Sequence, residues 1–150
     1  MSVPFLACVD LTDATTLDKV LASAVAQALA LDGTLTVLSV VPDMTTGLDY
    51  RYAIRGETGG SADYDLRSVV TDCLERLNEV VAERVPEGME VATIVRHGVV
   101  YEQVLAVADE IGAGHIVIGA RSRGLGDFLL GTNAERVVGH ARCSVNVIRS

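Results

Sequence analysis

Residues 115–137 read HIVIGARSRGLGDFLLGTNAERV. A short apolar run, a stretch dense in glycine and hydroxyl residues and a helical pattern follow one another without a break. A strand that empties through such a loop into a helix is the βα turn of a parallel sheet. Gly119, Gly124, Gly126 and Gly131 permit close backbone approach and positive φ, and Ser122 and Thr132 add hydroxyl donors. Gly131, Thr132 and Asn133 fall at the start of the helix, where free N–H groups and the helix dipole favour an anion. Arg121 and Arg123 add positive charge. The same composition also serves a plain turn, so the loop by itself leaves phosphate binding and simple connection both open.

Upstream and downstream the pattern repeats. VPFLACVD (3–10), TLTVLSVV (34–41), MEVATIV (89–95) and CSVNVIR (143–149) are short apolar runs of the kind found in strands buried on both faces. Between the first two, Leu17, Val20, Leu21, Ala24, Val25, Ala28 and Leu29 recur at helical spacing, with Thr12 or Asp13 as cap and Gly33 as stop. A second helix is expected from about Ala62 to Arg84, with Leu66, Val69, Val70, Cys73, Leu74, Leu77, Val80 and Val81 on one face and PEG (86–88) ending it. VVYEQVLAVADEIG (99–112) and GTNAERVVGHA (131–141) read as the third and fourth helices. Residues 43 to about 61, rich in Gly, Thr and Asp and without a period, read as a surface excursion or a lid.

This β-α alternation calls for an α/β fold: an open, doubly wound five-stranded parallel sheet with helices on both faces, one domain over residues 1–150. Ligands of such sheets bind beyond the carboxyl ends of the strands, where strand order reverses. Asp10 stands at the end of the first strand. Its carboxylate suits ribose hydroxyls, and equally a turn or N-cap acceptor.

Composition excludes several classes. The net charge is −8, Lys19 is the only lysine, and the mean hydropathy is +0.36. Nucleic-acid affinity is built from many Lys and Arg contacts to phosphate, so a nucleic-acid partner is not expected. No apolar stretch reaches the roughly 20 residues that cross a bilayer, and the N-terminal segment lacks a signal-peptide pattern, so no membrane insertion and a cytoplasmic location are expected. Cys8, Cys73 and Cys143 form no CxxC pair, and His97, His115 and His140 have no metal-ligand spacing. No metal site and no catalytic residue are assigned. A G-x4-G-K-[ST] loop is absent, as is a G-x-G-x-x-G after the first strand.

Along essentially its whole length the chain resembles the universal stress protein family. The resemblance is carried by Val9-Asp10, SVVP (39–42), HGVVYEQVLAVADE (97–110), HIVIGARSRG (115–124) and above all LLGTNAERVVGHARCSVNVIR (129–149). Nucleotide-binding members have G-x2-G-x9-G-[ST] after the fourth strand. Here Gly119, Ser122 and Gly131-Thr132 give G-x2-S-x8-G-T, with serine in place of the second glycine and one residue fewer, which resembles the loop of the family's F/G-type branch. The resemblance implies strand order 3-2-1-4-5 and ATP, ADP or AMP, with Mg²⁺ as a possible companion, held across strands one and four. Asp10 would contact the ribose, and the backbone around Val40 and Val41 the adenine edge. Gly119 and Ser122 would hold the first phosphates, and Gly131, Thr132 and Asn133 the terminal ones, with Gly98 near the same edge. Cys8 stands where the family commonly has proline. The family also commonly forms homodimers through the last strand, and CSVNVIR is an apolar strand at the chain end, with Asn146 at an interface or turned to solvent.

Three functional readings follow. The first is an adenine-nucleotide-binding stress-response protein acting as a small dimeric switch. The second, prompted by the serine and the shortened spacing, is a dimeric adaptor of the same fold that binds no nucleotide. The third is a slow ATP hydrolase, with Asp127, Thr132 and Glu135 near the phosphates. Tyr50 and Tyr52 of the 43–61 excursion could cover an adenine.

Overall fold

The five apolar runs become one parallel sheet in the order 3-2-1-4-5. The computed structural model describes residues 2–42, 66–120 and 130–149. Its elements are β1 (Pro4–Cys8), α1 (Ala14–Ala30), β2 (Thr34–Pro42), α2 (Leu66–Arg84), β3 (Val91–Gly98), α3 (Val100–Ile111), β4 (His115–Gly119), α4 (Thr132–His140) and β5 (Ser144–Ile148). The start expected for the second helix, at Ala62, and the whole 43–61 excursion lie outside the described residues.

Register explains why the strands read as continuous apolar runs. Cys8 lies opposite Leu38 on one side and Ile118 on the other, so β1 is central, while β3 and β5 are the edges. Alternate side chains feed two cores. Phe5, Ala7, Leu35, Val37 and Val117 pack beneath α1 and α2, and Leu6, Leu38, Val40, Ile116 and Ile118 pack beneath α3 and α4. Strands covered on both faces need apolar residues at nearly every position. Ser39 breaks that rule. It is fully buried in β2, and its hydroxyl has no hydrogen-bond partner among the described residues.

The helices follow their stripes with one difference. Val69, Cys73, Leu77 and Val80 of α2 are buried, but Leu66 and Leu74, expected on the same face, are 47% and 38% exposed. Leu29 of α1 is exposed too. A helix lying on a flat sheet buries the narrow stripe that meets it, and the flanks of a broader apolar face stay in water. α1 starts on Asp13, whose carboxylate accepts from Thr16 N–H at 3.2 Å and Thr16 Oγ1 at 2.8 Å. It stops where Asp32 takes a φ of 50° and Gly33 passes so close to Val3 that a Cβ would lie 2.6 Å from its carbonyl oxygen. β3 runs on to Gly98, beyond the expected MEVATIV, because β2 offers pairing up to Pro42 opposite Gly98. No helix among the described residues is long and apolar enough to cross a membrane.

Candidate functional site

Strand order reverses between β1 and β4: β2 and β3 lie to one side, β5 to the other. The carboxyl ends of these two strands therefore frame the crevice where an open sheet takes its ligand.

Asp10 lies two residues beyond β1 and is exposed. Its Oδ1 accepts from Thr12 N–H at 2.8 Å and Thr12 Oγ1 at 2.6 Å, and its carbonyl accepts from Asp13 N–H at 3.1 Å. One carboxylate oxygen thus shapes the turn into α1. The other has no partner among the described residues and can accept from a ligand hydroxyl.

On β2, Val9 N–H donates to Leu38 C=O at 2.9 Å. Main-chain groups of successive strand residues point to opposite sides, so Val40 also faces β1, just past its last paired residue, while Val41 faces β3 and pairs there with His97. Of the two valines, Val40 is the one whose backbone is directed toward the crevice. Gly98 ends β3, two strands from the crevice, or about 10 Å at ordinary strand spacing. Its φ of 143° and the 3.0 Å that would separate a Cβ from Gln103 Nε2 explain glycine there by the turn into α3.

Gly119 ends β4, and a Cβ on it would come 2.5 Å from Thr16 Cγ2, so this glycine admits the first turn of α1. Ser122 lies outside the described residues, as do Arg121, Arg123, Gly124, Gly126 and Asp127. The two ends of that loop are joined: Gly131 N–H donates to Ala120 C=O at 2.7 Å, and Ala120 N–H to Ile148 C=O at 2.9 Å. The sequence carried no signal for Ala120 as a closing residue. Gly131 is the N-cap of α4 with φ −64° and ψ 155°, so neither positive φ nor a free N–H of its own applies there. Glu135 N–H closes the first turn onto Gly131 C=O at 2.9 Å, which leaves the N–H groups of Thr132, Asn133 and Ala134 without intrahelical acceptors. They are the donors that the first turn of α4 leaves for an external acceptor.

Two further features were not foreseen. Asn133 Oδ1 accepts from Tyr101 N–H at 3.2 Å, and the Arg136 guanidinium sits 5.4 Å from the centre of the Tyr101 ring. Cys8, at the end of β1, has its thiol pushed up to about 12 by burial, which favours the neutral form. No cluster of His, Cys, Asp or Glu among the described residues could hold a metal ion. His115 packs edge-on against Phe5, with ring centres 4.6 Å apart.

The family model described as "Universal stress protein family" matches residues 1–149. The chain belongs to the universal stress protein family. Universal stress protein G of Shigella flexneri is 37% identical over 75 residues, which cover 50% of this chain and 53% of that protein. The chain thus spans about half the length of the curated relatives it matches. A universal stress protein from Archaeoglobus fulgidus superposes with a TM-score of 0.71 at 22% identity, covering 99% of this chain and 100% of that one. A universal stress protein from Archaeoglobus fulgidus in complex with dAMP gives 0.59 at 20% identity, covering 98% of each chain. A universal stress protein in complex with cAMP gives 0.58 at 16%, covering 99% and 97%. These likenesses establish the fold and the order 3-2-1-4-5, as the sequence led one to expect.

Proposed function

We propose that this chain is a one-domain, cytoplasmic stress-response protein that binds an adenine nucleotide and acts as a homodimeric regulator. The observation that carries the reading is convergence at the β1/β4 reversal. An uncommitted carboxylate oxygen of Asp10, the main-chain groups of Val40 and three N-terminal N–H groups of α4 come from elements that open on the same edge of the sheet. An acceptor for ribose hydroxyls, an amide edge for a base and donors for phosphate are the parts a nucleotide requires. The fold relatives in complex with dAMP and cAMP support an AMP-type ligand. ATP is the member of the class we favour, with Mg²⁺ arriving on the phosphates and not on a protein cluster. Dimerisation is proposed through β5, an edge strand whose Val145 and Val147 are only partly buried and whose Asn146 is exposed.

Calorimetric titration of the purified chain with ATP, ADP, AMP and dAMP, with and without Mg²⁺, tests the ligand. Saturable binding that Gly131→Val abolishes supports the reading, and no heat with any nucleotide at millimolar concentration ends it. Sedimentation of a Val147→Pro variant, which removes an N–H on the open side of the edge strand, tests the dimer. The nucleotide-free adaptor remains the second reading. It is favoured by one specific observation, the Gly131 N–H that is already engaged with Ala120.

A further inference from the structure

Helix α3 begins without a cap of its own. Its N-cap residue is Val99, which has no side-chain acceptor, and the neighbouring Gly98 has no side chain at all. The missing acceptor comes from another helix. Asn133, the second residue of α4, reaches across 32 positions of sequence to take the Tyr101 N–H, and Arg136, one turn further along α4, lies over the Tyr101 ring. Residues three apart share one face of a helix, so α4 grips Tyr101 by its main chain and its ring from a single face.

This bond gives the carboxamide a direction. A backbone N–H can only donate, so the atom turned to α3 is the oxygen, and the NH2 is the part left over. Asn133 also contributes a backbone N–H to the anion-facing first turn of α4. We propose that Asn133 is a specificity-determining and positioning residue: its oxygen caps α3, its NH2 is thereby committed as a donor to a phosphate oxygen, and ligand occupancy at α4 is transmitted to the start of α3. The inference rests on the nucleotide reading above and assigns the regulatory contact within it. A phosphate on the NH2 would narrow the freedom of the amide and hold the cap on Tyr101 more firmly. A ligand offering a donor at that position would be refused, since the amide cannot turn over without uncapping α3.

Two variants separate this from a purely structural role. Asn133→Asp keeps an acceptor for Tyr101 N–H and places a negative charge by two helix N-termini, which favours the fold, yet it exchanges the donor for a carboxylate that repels phosphate. Asn133→Ala removes both halves. Amide-resolved hydrogen exchange at Tyr101 and ATP titration are measured on the wild-type chain and both variants. In the wild type, ATP slows exchange at Tyr101. In Asn133→Ala, Tyr101 exchanges faster without ligand and no longer responds to ATP. Asn133→Asp keeps the ligand-free protection and melting temperature of the wild type, but binds ATP at least about tenfold more weakly. Wild-type binding with equal affinity in Asn133→Asp, or unchanged Tyr101 exchange in Asn133→Ala, overturns this inference alone. Absence of binding in the wild type overturns it together with the nucleotide reading.

Discussion

Thr16 Cγ2 occupies the space that a side chain on Gly119 would need: a Cβ there would lie 2.5 Å from it. The Thr16 side chain cannot readily turn away, because its Oγ1 is bonded to Asp13 Oδ2 at 2.8 Å and β-branched side chains have little χ1 freedom in a helix. Gly119→Ala is therefore expected to destabilise the chain by about 1–3 kcal/mol through overpacking. Thr16→Ser deletes the methyl and keeps the hydroxyl, so adding it to Gly119→Ala should recover most of the loss. Urea unfolding of the single and double variants measures this, and a double variant no better than Gly119→Ala would show that the contact is not the cause.

That relationship also marks where sequence reading stops. Strands such as β1 (Pro4–Cys8) and β4 (His115–Gly119) are legible because both sheet faces are covered, and a strand so placed has little room for polar residues. The helical stripe of α1 was legible for the same reason. The stripe gives a direction but not a width, so Leu29, Leu66 and Leu74 were expected inside and lie outside. Composition at residues 119 and 131 points to a ligand, and the packing duty that each glycine also carries is not legible there. One makes room for a helix about 100 positions away in sequence, and the other closes a loop onto Ala120. Contacts of this kind depend on which elements meet, and local composition does not encode that. Asn133 and Tyr101 meet only because α3 and α4 lie side by side on one face.

Ser39 offers a gain in stability. Its side chain is fully buried on the face shared by Val37 and Val41, and its hydroxyl lacks a partner among the described residues. A buried hydroxyl with no hydrogen bond forfeits its hydration without return. Ser39→Ala, which removes one atom and leaves almost no cavity, should raise the unfolding free energy by about 1 kcal/mol. A fall of similar size in chemical denaturation would mean that the hydroxyl is bonded in solution.

Cys8 should make stability fall in alkali. Burial raises its folded-state value from the usual 9.0 to about 12, so the folded chain holds the proton that the unfolded chain releases between those two values. Stability from this group is complete below pH 9 and is lost as pH rises towards 12. Cys8→Ala lacks the effect, and all other groups cancel in the comparison. Relative to this variant, the wild type should lose up to about 1.4 kcal/mol per pH unit in that window. Thermal or urea unfolding of both chains at pH 8, 9, 10 and 11 reads the difference directly, and parallel curves would refute the shift. The same neutral thiol should react slowly with iodoacetamide at pH 8.

Asp10 has two separable duties. Oδ1 holds Thr12 through both its N–H and its hydroxyl, and this turn delivers the chain into the Asp13 cap of α1. The second oxygen is the one we assign to the ribose. Asn at this position can still accept from Thr12 with its carbonyl oxygen, but it presents an NH2 where the second oxygen stood. Asp10→Asn should therefore leave the melting temperature close to that of the wild type and weaken nucleotide binding about tenfold. Asp10→Ala should lose both, at a stability cost of about 1 kcal/mol for the broken turn. Deoxyribose sharpens the test. If Asp10 bonds the 2′-hydroxyl, the wild type prefers AMP to dAMP and Asp10→Asn loses that preference. If the bond is to the 3′-hydroxyl, both nucleotides weaken equally in the variant. Equal affinities of the wild type and Asp10→Asn for AMP would remove Asp10 from the ribose and leave it the turn alone.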